Sequence, residues 1–356
     1  MHLILPVAGR SSRFPNLRPK WLLTQPDGKL MVISSILGLP LDDFDKIHLV
    51  VLKEHLDKYQ CEAGIRKAFQ EVGLDQKLSI IVLEEPTNSQ PETVYEALKK
   101  INYDGAIYVK DSDNYFEIDS IDPNSVTTFD LTNMNSVNAA NKSYVLKNDE
   151  GVIINIIEKK IISSEFCCGG YAFESTTDYI SAYNELKNND NLYISHLIFK
   201  LMLSGRMFST NEALSYEDWG TSKEWMRYKS TFATLFVDID GVLVKNSGKY
   251  FEPEWGSTES IKTNANLITD LYESGRTEII LTTARTEEYR EKTTAQLNKL
   301  GIKYHRMIMG LMHCQRIIVN DYANSNPYPS CNAINIKRND DSSLRKMLSA
   351  IMEEVN

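Results

Sequence analysis

The strongest constraint on how this 356-residue chain folds is an alternation of short apolar segments with helical patterns, which occurs once in each half. In the first half HLILPV, KIHLVVL, KLSIIVLE and GAIYVKD read as strands buried on both faces, because each is a nearly continuous apolar run. PETVYEALKKI reads as a helix opened by Pro91, whose fixed φ suits a first turn. Such alternation predicts a parallel α/β sheet. From about Ser125 to Phe173 the segments SYVLKN, GVIINIIEKK and FCCGGYAF predict strands with polar loops, and helical stretches follow from Thr177 to Leu203. A mixed extension of the sheet fits that order. Near Lys229 the alternation restarts with FATLFVDIDGVLV, a helix near Ile261 to Ser274, TEIILTTAR, a helix near Glu287 to Leu300, then RIIVND and NAINI. The chain exceeds the size at which a single core keeps growing. Two α/β domains are therefore expected, residues 1-229 and 230-356.

Charge and composition narrow the partners. A formal charge of -9 disfavours a nucleic-acid surface, which needs a broad basic field. No apolar run approaches the length that spans a bilayer, and Met1 to Val7 is too short for a signal peptide. No membrane partner and a cytoplasmic location are the expectation. Five cysteines without a CxxC pair read as reduced thiols.

Against that acidic background, LPVAGRSSRFPNLRPKWLL places four cations in the loop after the first strand. A loop leaving the carboxyl end of a parallel strand is where α/β folds place ligands, and its backbone N–H groups can converge on phosphate oxygens. Ala8, Gly9, Ser11 and Ser12 are small enough for close approach, and Arg13 and Lys20 would neutralise a triphosphate. In YVKDSDNYF, Asp111 and Asp113 follow an apolar strand as paired carboxylates suited to Mg²⁺. Asp218, in YEDWGTSKEW, is a further carboxylate that could close the metal site.

Together these residues resemble the sugar-phosphate nucleotidyltransferases, a GT-A-like, Rossmann-like family that joins a nucleoside triphosphate to a phosphorylated sugar or alcohol. The resemblance covers about Met1 to Tyr228. Gly9, Arg13 and Lys20 match the family's opening loop, while Ser11 replaces its second glycine. Asp111 matches its metal carboxylate, and Asp218, Gly220 and Thr221 match its late D-x-G-T pattern. By the same resemblance GGYAF (Gly169, Gly170, Tyr171) and the pair Glu158 and Lys159 face the acceptor. EEPTNSQPETV, with Glu92 and Thr93, lies where the family contacts base and ribose, at a different spacing.

TLFVDIDGVLV carries a second site. Asp238 ends an apolar strand, Asp240 follows, and Gly241 permits a tight turn. One aspartate can attack phosphorus while the other protonates the leaving oxygen. Thr282, Thr283 and Arg285 stand at a second expected strand end and can hold a phosphoryl group. Asp321 at a third can complete a Mg²⁺ site with Asp238. Over about Thr231 to Asn356 this order resembles the haloacid dehalogenase superfamily. The resemblance implies Asp238 as nucleophile, Asp240 as acid/base and a metal neighbour, Thr283 as phosphoryl ligand and Asp321 as metal ligand. The intervals leave no room for a large cap. The family's Lys before its last acidic motif is missing in MGLMHCQR, where Arg316 or Lys303 could substitute.

The two resemblances imply a bifunctional, Mg²⁺-dependent enzyme: a nucleotidyltransferase, CTP favoured, fused to a phosphatase, making an activated sugar or polyol for a surface polysaccharide. A GT-A glycosyltransferase, or an active transferase carrying a non-catalytic C-terminal binding module, are the alternatives.

Overall fold

In the computed structural model, which describes residues 1–9, 14, 17–134, 139–321 and 330–352, the apolar runs of the first half are strands. They are β1 (His2–Pro6), β2 (Lys46–Leu52), β3 (Leu78–Leu83) and β4 (Ile107–Lys110). β1 runs parallel to both β2 and β4, and β2 runs parallel to β3. Leu3, Ile4 and Leu5 are all fully buried, so both faces of β1 are covered, as its unbroken apolar sequence requires.

The chain divides into two compact units, Met1–Trp225 and Met226–Asn356. In the first, β5 (Asn114–Glu117) leaves the main sheet, and β6 (Ser125–Asp130), β7 (Ser143–Lys147), β8 (Ile153–Glu158) and β9 (Glu165–Phe173) extend it. β9 pairs antiparallel with β4 and with β6, which makes the sheet mixed as expected. β10 (Ser209–Glu212) closes a nine-stranded sheet, and β11 (Ser215–Asp218) forms a separate antiparallel pair with β5. Helices Gln90–Ile101, Thr176–Leu186 and Ile194–Leu203 bury one apolar core on this sheet, and the other face buries a second. Each fully buried Leu or Ile contributes about 1.5–3 kcal/mol. The helix from Gln90 is fixed at its start: Ser89 Oγ accepts from Glu92 N at 3.3 Å, Glu92 Oε2 accepts from Asn88 N at 2.6 Å, and Pro91 occupies the first turn.

The second unit holds β12 (Ala233–Asp238), β13 (Thr277–Thr282) and β14 (Arg306–Ile308), all parallel and in that order. Helices Lys262–Glu273 and Arg290–Lys299 lie where the sequence pattern put them. RIIVND and NAINI, expected as further strands, form none among the described residues. Ile317, Ile318 and Val319 are 76%, 57% and 92% exposed, so their apolar character is not spent on a sheet. β12 is consequently an edge strand among the described residues, with Phe236 54% exposed. All five cysteines are free thiols. No helix among the described residues is long and apolar enough to cross a membrane.

Candidate active site

β1 and β4 lie side by side and end at the same edge of the sheet, which brings the loop at Ala8 and Gly9 next to the turn at Asp111 to Asp113. Lys110, the last residue of β4, is fully buried beneath that turn. Its ammonium donates to the backbone carbonyls of Asp111 (2.7 Å) and Asn114 (3.1 Å) and to Asn114 Oδ1 (2.6 Å), and lies 4.4 Å from the Phe116 ring centre. Three acceptors satisfy its three donors, which is what makes a buried charge tolerable. Burial nevertheless pulls its pKa down to about 8.

β5 then pairs with β11, whose last residue is the third carboxylate, Asp218. Asn114 pairs with Asp218 in the β5–β11 ladder, and Trp219 N donates to the Asp113 carbonyl at 2.9 Å. Each carboxylate meets a protein donor: Asp111 takes the Gln90 amide, Asp113 the Lys20 ammonium and Asp218 the Lys142 ammonium. Asp218 Oδ1 also accepts from Gly220 N at 2.9 Å. Burial and the neighbouring Asp113 charge push the Asp111 carboxyl above the usual carboxylate range. β9 closes the turn from behind, because Asp111 N donates to the Gly169 carbonyl at 2.7 Å. Gly169 has φ +84°, and a Cβ there would collide with the Asp111 carboxylate, so glycine is needed on both counts.

A cavity of about 410 Å³ opens above this turn, lined among others by Gly9, Lys20, Trp21, Asn88, Gln90, Thr93, Asp111 and Asp113. Lys20, Gly9, Thr93, Asp111 and Asp113 thus stand together as the sequence suggested. Glu92 does not line it, since its carboxylate caps the Asn88 to Gln90 turn instead. Arg13, Ser11 and Ser12 lie outside the described residues.

On the expected acceptor side, Glu158 Oε2 accepts from the hydroxyls of Ser143 and, at 3.0 Å, Ser195. The Lys159 ammonium donates to the Tyr193 hydroxyl and lies 4.5 Å from that ring centre. Tyr171 is 7% exposed within the apolar core and Gly170 backs onto Tyr108 and Phe116, so packing accounts for both. Gln90, Lys110 and Lys142 were not singled out by the sequence reading. Gln90 was foreshadowed only by the polar TNSQ run before the helix, while Lys142 reaches a partner 76 positions away and leaves no local signal.

Among the described residues no three His, Cys, Asp or Glu side chains converge as a metal-binding group. The donor set still fits a hard divalent cation: hard carboxylate oxygens, one of them unfavourably buried beside a second, gathered where Gly169 leaves room. Protein cations hold two of the three carboxylates.

The second unit is built differently. Asp238 ends β12 and its Oδ1 accepts from Arg316 Nη2 at 3.1 Å; burial raises its pKa and Arg316 opposes the rise. Gly241 has φ +90°, the tight turn that the sequence anticipated. Arg285, expected at a phosphoryl group, is fully buried and grips Asp240 with two bonds of 2.8 and 2.9 Å. Its Nη1 donates to Thr293 (3.1 Å) and Gln296 (2.8 Å), so four of its five N–H donors are engaged within the protein, a structural task. Thr283 Oγ1 also turns to Asp240, at 3.4 Å, and buried Thr282 is paired in register with Asp238. Asp321, expected beside Asp238, is exposed, and its backbone N–H donates to Oδ1 of the adjacent Asn320 at 3.1 Å. The strand that should have carried it there does not form among the described residues.

No protein-family model matches the chain, and no curated protein matches it. Among solved structures, the nucleoside-diphosphate-sugar pyrophosphorylase from Vibrio cholerae RC9 is similar at 22% identity, with 64% of this chain and 98% of that one covered and a TM-score of 0.54. The covered share is about that of the first unit. The inositol-1-phosphate CTP transferase from T. maritima is similar at 14% identity over 63% of this chain and 90% of its own, with a TM-score of 0.47. The first of these likenesses shows a shared fold, a mixed α/β sheet with a parallel centre.

Proposed function

We propose that the first unit transfers a nucleotidyl group from a nucleoside triphosphate, CTP favoured, to the phosphate of a phosphorylated sugar or polyol and releases pyrophosphate. The observation that carries this reading is the cavity at the ends of β1 and β4, where Lys20, Gln90, Asp111 and Asp113 converge, with Asp218 paired to Asn114 one residue beyond. Asp111 and Asp218, with Asp113 beside them, are the residues that would hold Mg²⁺, which when bound lowers the repulsion between two phosphates. Lys20 draws charge off the triphosphate and the departing pyrophosphate, and Arg13 is assigned the same task from the sequence. Asn88 and Gln90, at a helix N-terminus, are placed to orient the nucleotide. Glu158, steadied by two serine hydroxyls, and Lys159 are assigned to the acceptor.

For the second unit the proposal is Mg²⁺-dependent hydrolysis of a phosphate monoester, with Asp238 as nucleophile, Asp240 as acid/base, Thr283 and Arg316 on the phosphoryl group and Asp321 on the metal. Both activities would serve a cytoplasmic route to a surface-polysaccharide precursor. A second reading, a non-catalytic module, is favoured by the buried Arg285 clamp on Asp240 and by the exposure of Asp321. Four triphosphates screened against phosphorylated sugars and polyols, with and without Mg²⁺, test the first unit. Pyrophosphate release with one base and a phosphorylated acceptor is expected; no release from any pair removes the proposal. Hydrolysis across the same monoester panel decides between the two readings of the second unit.

A further inference from the structure

Two buried or nearly buried lysines stand near the three carboxylates, and they are held differently. Lys110 is satisfied on all three donors by the turn beneath which it lies. Lys142, just before β7, reaches across from the acceptor segment, its carbonyl accepting from Lys159 N at 3.0 Å. Its side chain is 13% exposed, and its ammonium donates to the Asp218 carboxylate and to the Tyr216 hydroxyl at 2.6 Å. The rings of Tyr216 and Phe166 stand 4.9 and 5.5 Å from that ammonium, a surrounding that favours a cation. Among the described residues its third donor has no partner. Asp218 is 14% exposed and pairs through its backbone with Asn114, one residue past Asp113.

A carboxylate this enclosed needs a neutralising partner, and Lys142 supplies one within the protein. A divalent ion and an ammonium cannot both press on the same carboxylate without like-charge repulsion in a poorly solvated place. We propose that Lys142 is the resident counter-ion of Asp218. It keeps the carboxylate aimed beside the Asp111 to Asp113 turn, yields it when a divalent ion binds, and then turns its ammonium to the phosphate of the acceptor. Lys142 is thereby a positioning residue through Asp218 and a selector for phosphorylated acceptors. Because metal binding releases the cation that the acceptor needs, the nucleotide and its metal bind before the acceptor. The inference rests on the proposed function in taking Asp218 as a ligand of the ion and a phosphorylated compound as the acceptor.

The test is Mn²⁺ binding to the full chain, followed by electron paramagnetic resonance, with every protein carrying Asp238→Asn to silence the second unit. Asp218→Asn weakens binding, whereas Lys142→Met tightens it by about tenfold, the scale on which groups around ligands tune metal affinity. Lys142→Arg, which keeps the charge, stays near the parent. Lys142→Gln, which keeps a hydrogen bond without the charge, covers a folding failure of the Met variant and also tightens. Mn²⁺ affinity unchanged or weaker in both uncharged variants overturns the inference. Unchanged affinity in Asp218→Asn overturns the ligand assignment itself, and with it the proposed metal site, whatever Lys142 does. For the second half, inorganic phosphate is added to the Mn²⁺-loaded protein. Broadening of its phosphorus resonance in the parent and its loss in Lys142→Met are expected; equal broadening in both shows that the ammonium does not turn to phosphate.

Discussion

The two units each present aspartates at a strand end, yet they hold them in opposite ways. β4, which leads into Asp111, is paired on both sides, by β1 and by β9. Its carboxylates, Asp111 and Asp113, face a cavity and are held by side chains that reach in from other segments, Gln90 and Lys20. β12, which carries Asp238, is paired only by β13 among the described residues, and Asp240 is clamped from within by a buried arginine. The first arrangement leaves its acids open to exchange of partners. In the second, one acid is part of the framework and the other meets a half-exposed Arg316.

The largest expected effect comes from the clamp. Removing one partner of a buried ion pair costs about 3–5 kcal/mol, so Arg285→Met should lower the unfolding transition of the second unit and leave that of the first in place. Calorimetry of the full chain reads this directly, and an unmoved transition would show that the clamp is not structural. Next in size, Lys20→Ala should slow pyrophosphate release by a factor on the order of a hundred, since one lost charge-stabilising donor is worth about 3 kcal/mol. Near-normal turnover in a folded variant would remove Lys20 from the mechanism. Reciprocal substitutions then sharpen the separation of the sites. Asp218→Asn should impair metal-dependent transfer and spare monoester hydrolysis, and Asp238→Asn should do the reverse; loss of both activities in either folded variant contradicts two independent sites.

These contrasts were partly legible in the sequence. The order of strands in the first half, the helix at Pro91, the mixed extension and the placing of Lys20, Asp111 and Asp113 at one sheet edge all follow from local apolar runs and strand-end logic. Lys142 was hidden because its meaning lies in a partner, Asp218, that the β5–β11 ladder positions, and Gln90 because the Asp111 it meets is 21 positions away. RIIVND misled for a related reason. An apolar run states a capacity to pair, and pairing also requires a neighbouring strand. Arg285 was assigned to substrate from its position after TTA, but Asp240, Thr293 and Gln296 already engage four of its five N–H donors.

A smaller effect distinguishes the units by pH. Burial, with help from His2 and Lys46, lowers His48 in the first unit to about 4. The unfolded chain takes up a proton near the ordinary 6.5 that the folded chain refuses until about 4. The contribution of His48 to the stability of the first unit is therefore complete above about 6.5 and is lost as pH drops towards about 4. Between pH 7 and pH 5 the thermal unfolding of the first unit should decline less, or rise more, in His48→Leu than in the parent; an equal pH response in the two would place the proton elsewhere.

The central claim is that the first unit joins a nucleotidyl group to a phosphate, and the mass of the nucleotide product tests it most directly. After incubation with the pair selected by the screen, the account predicts a nucleoside monophosphoryl group joined to the intact acceptor phosphate, with pyrophosphate as the second product and neither formed by Asp111→Asn. A free nucleoside diphosphate and a glycoside made from a nucleotide sugar would contradict it and favour a glycosyltransferase.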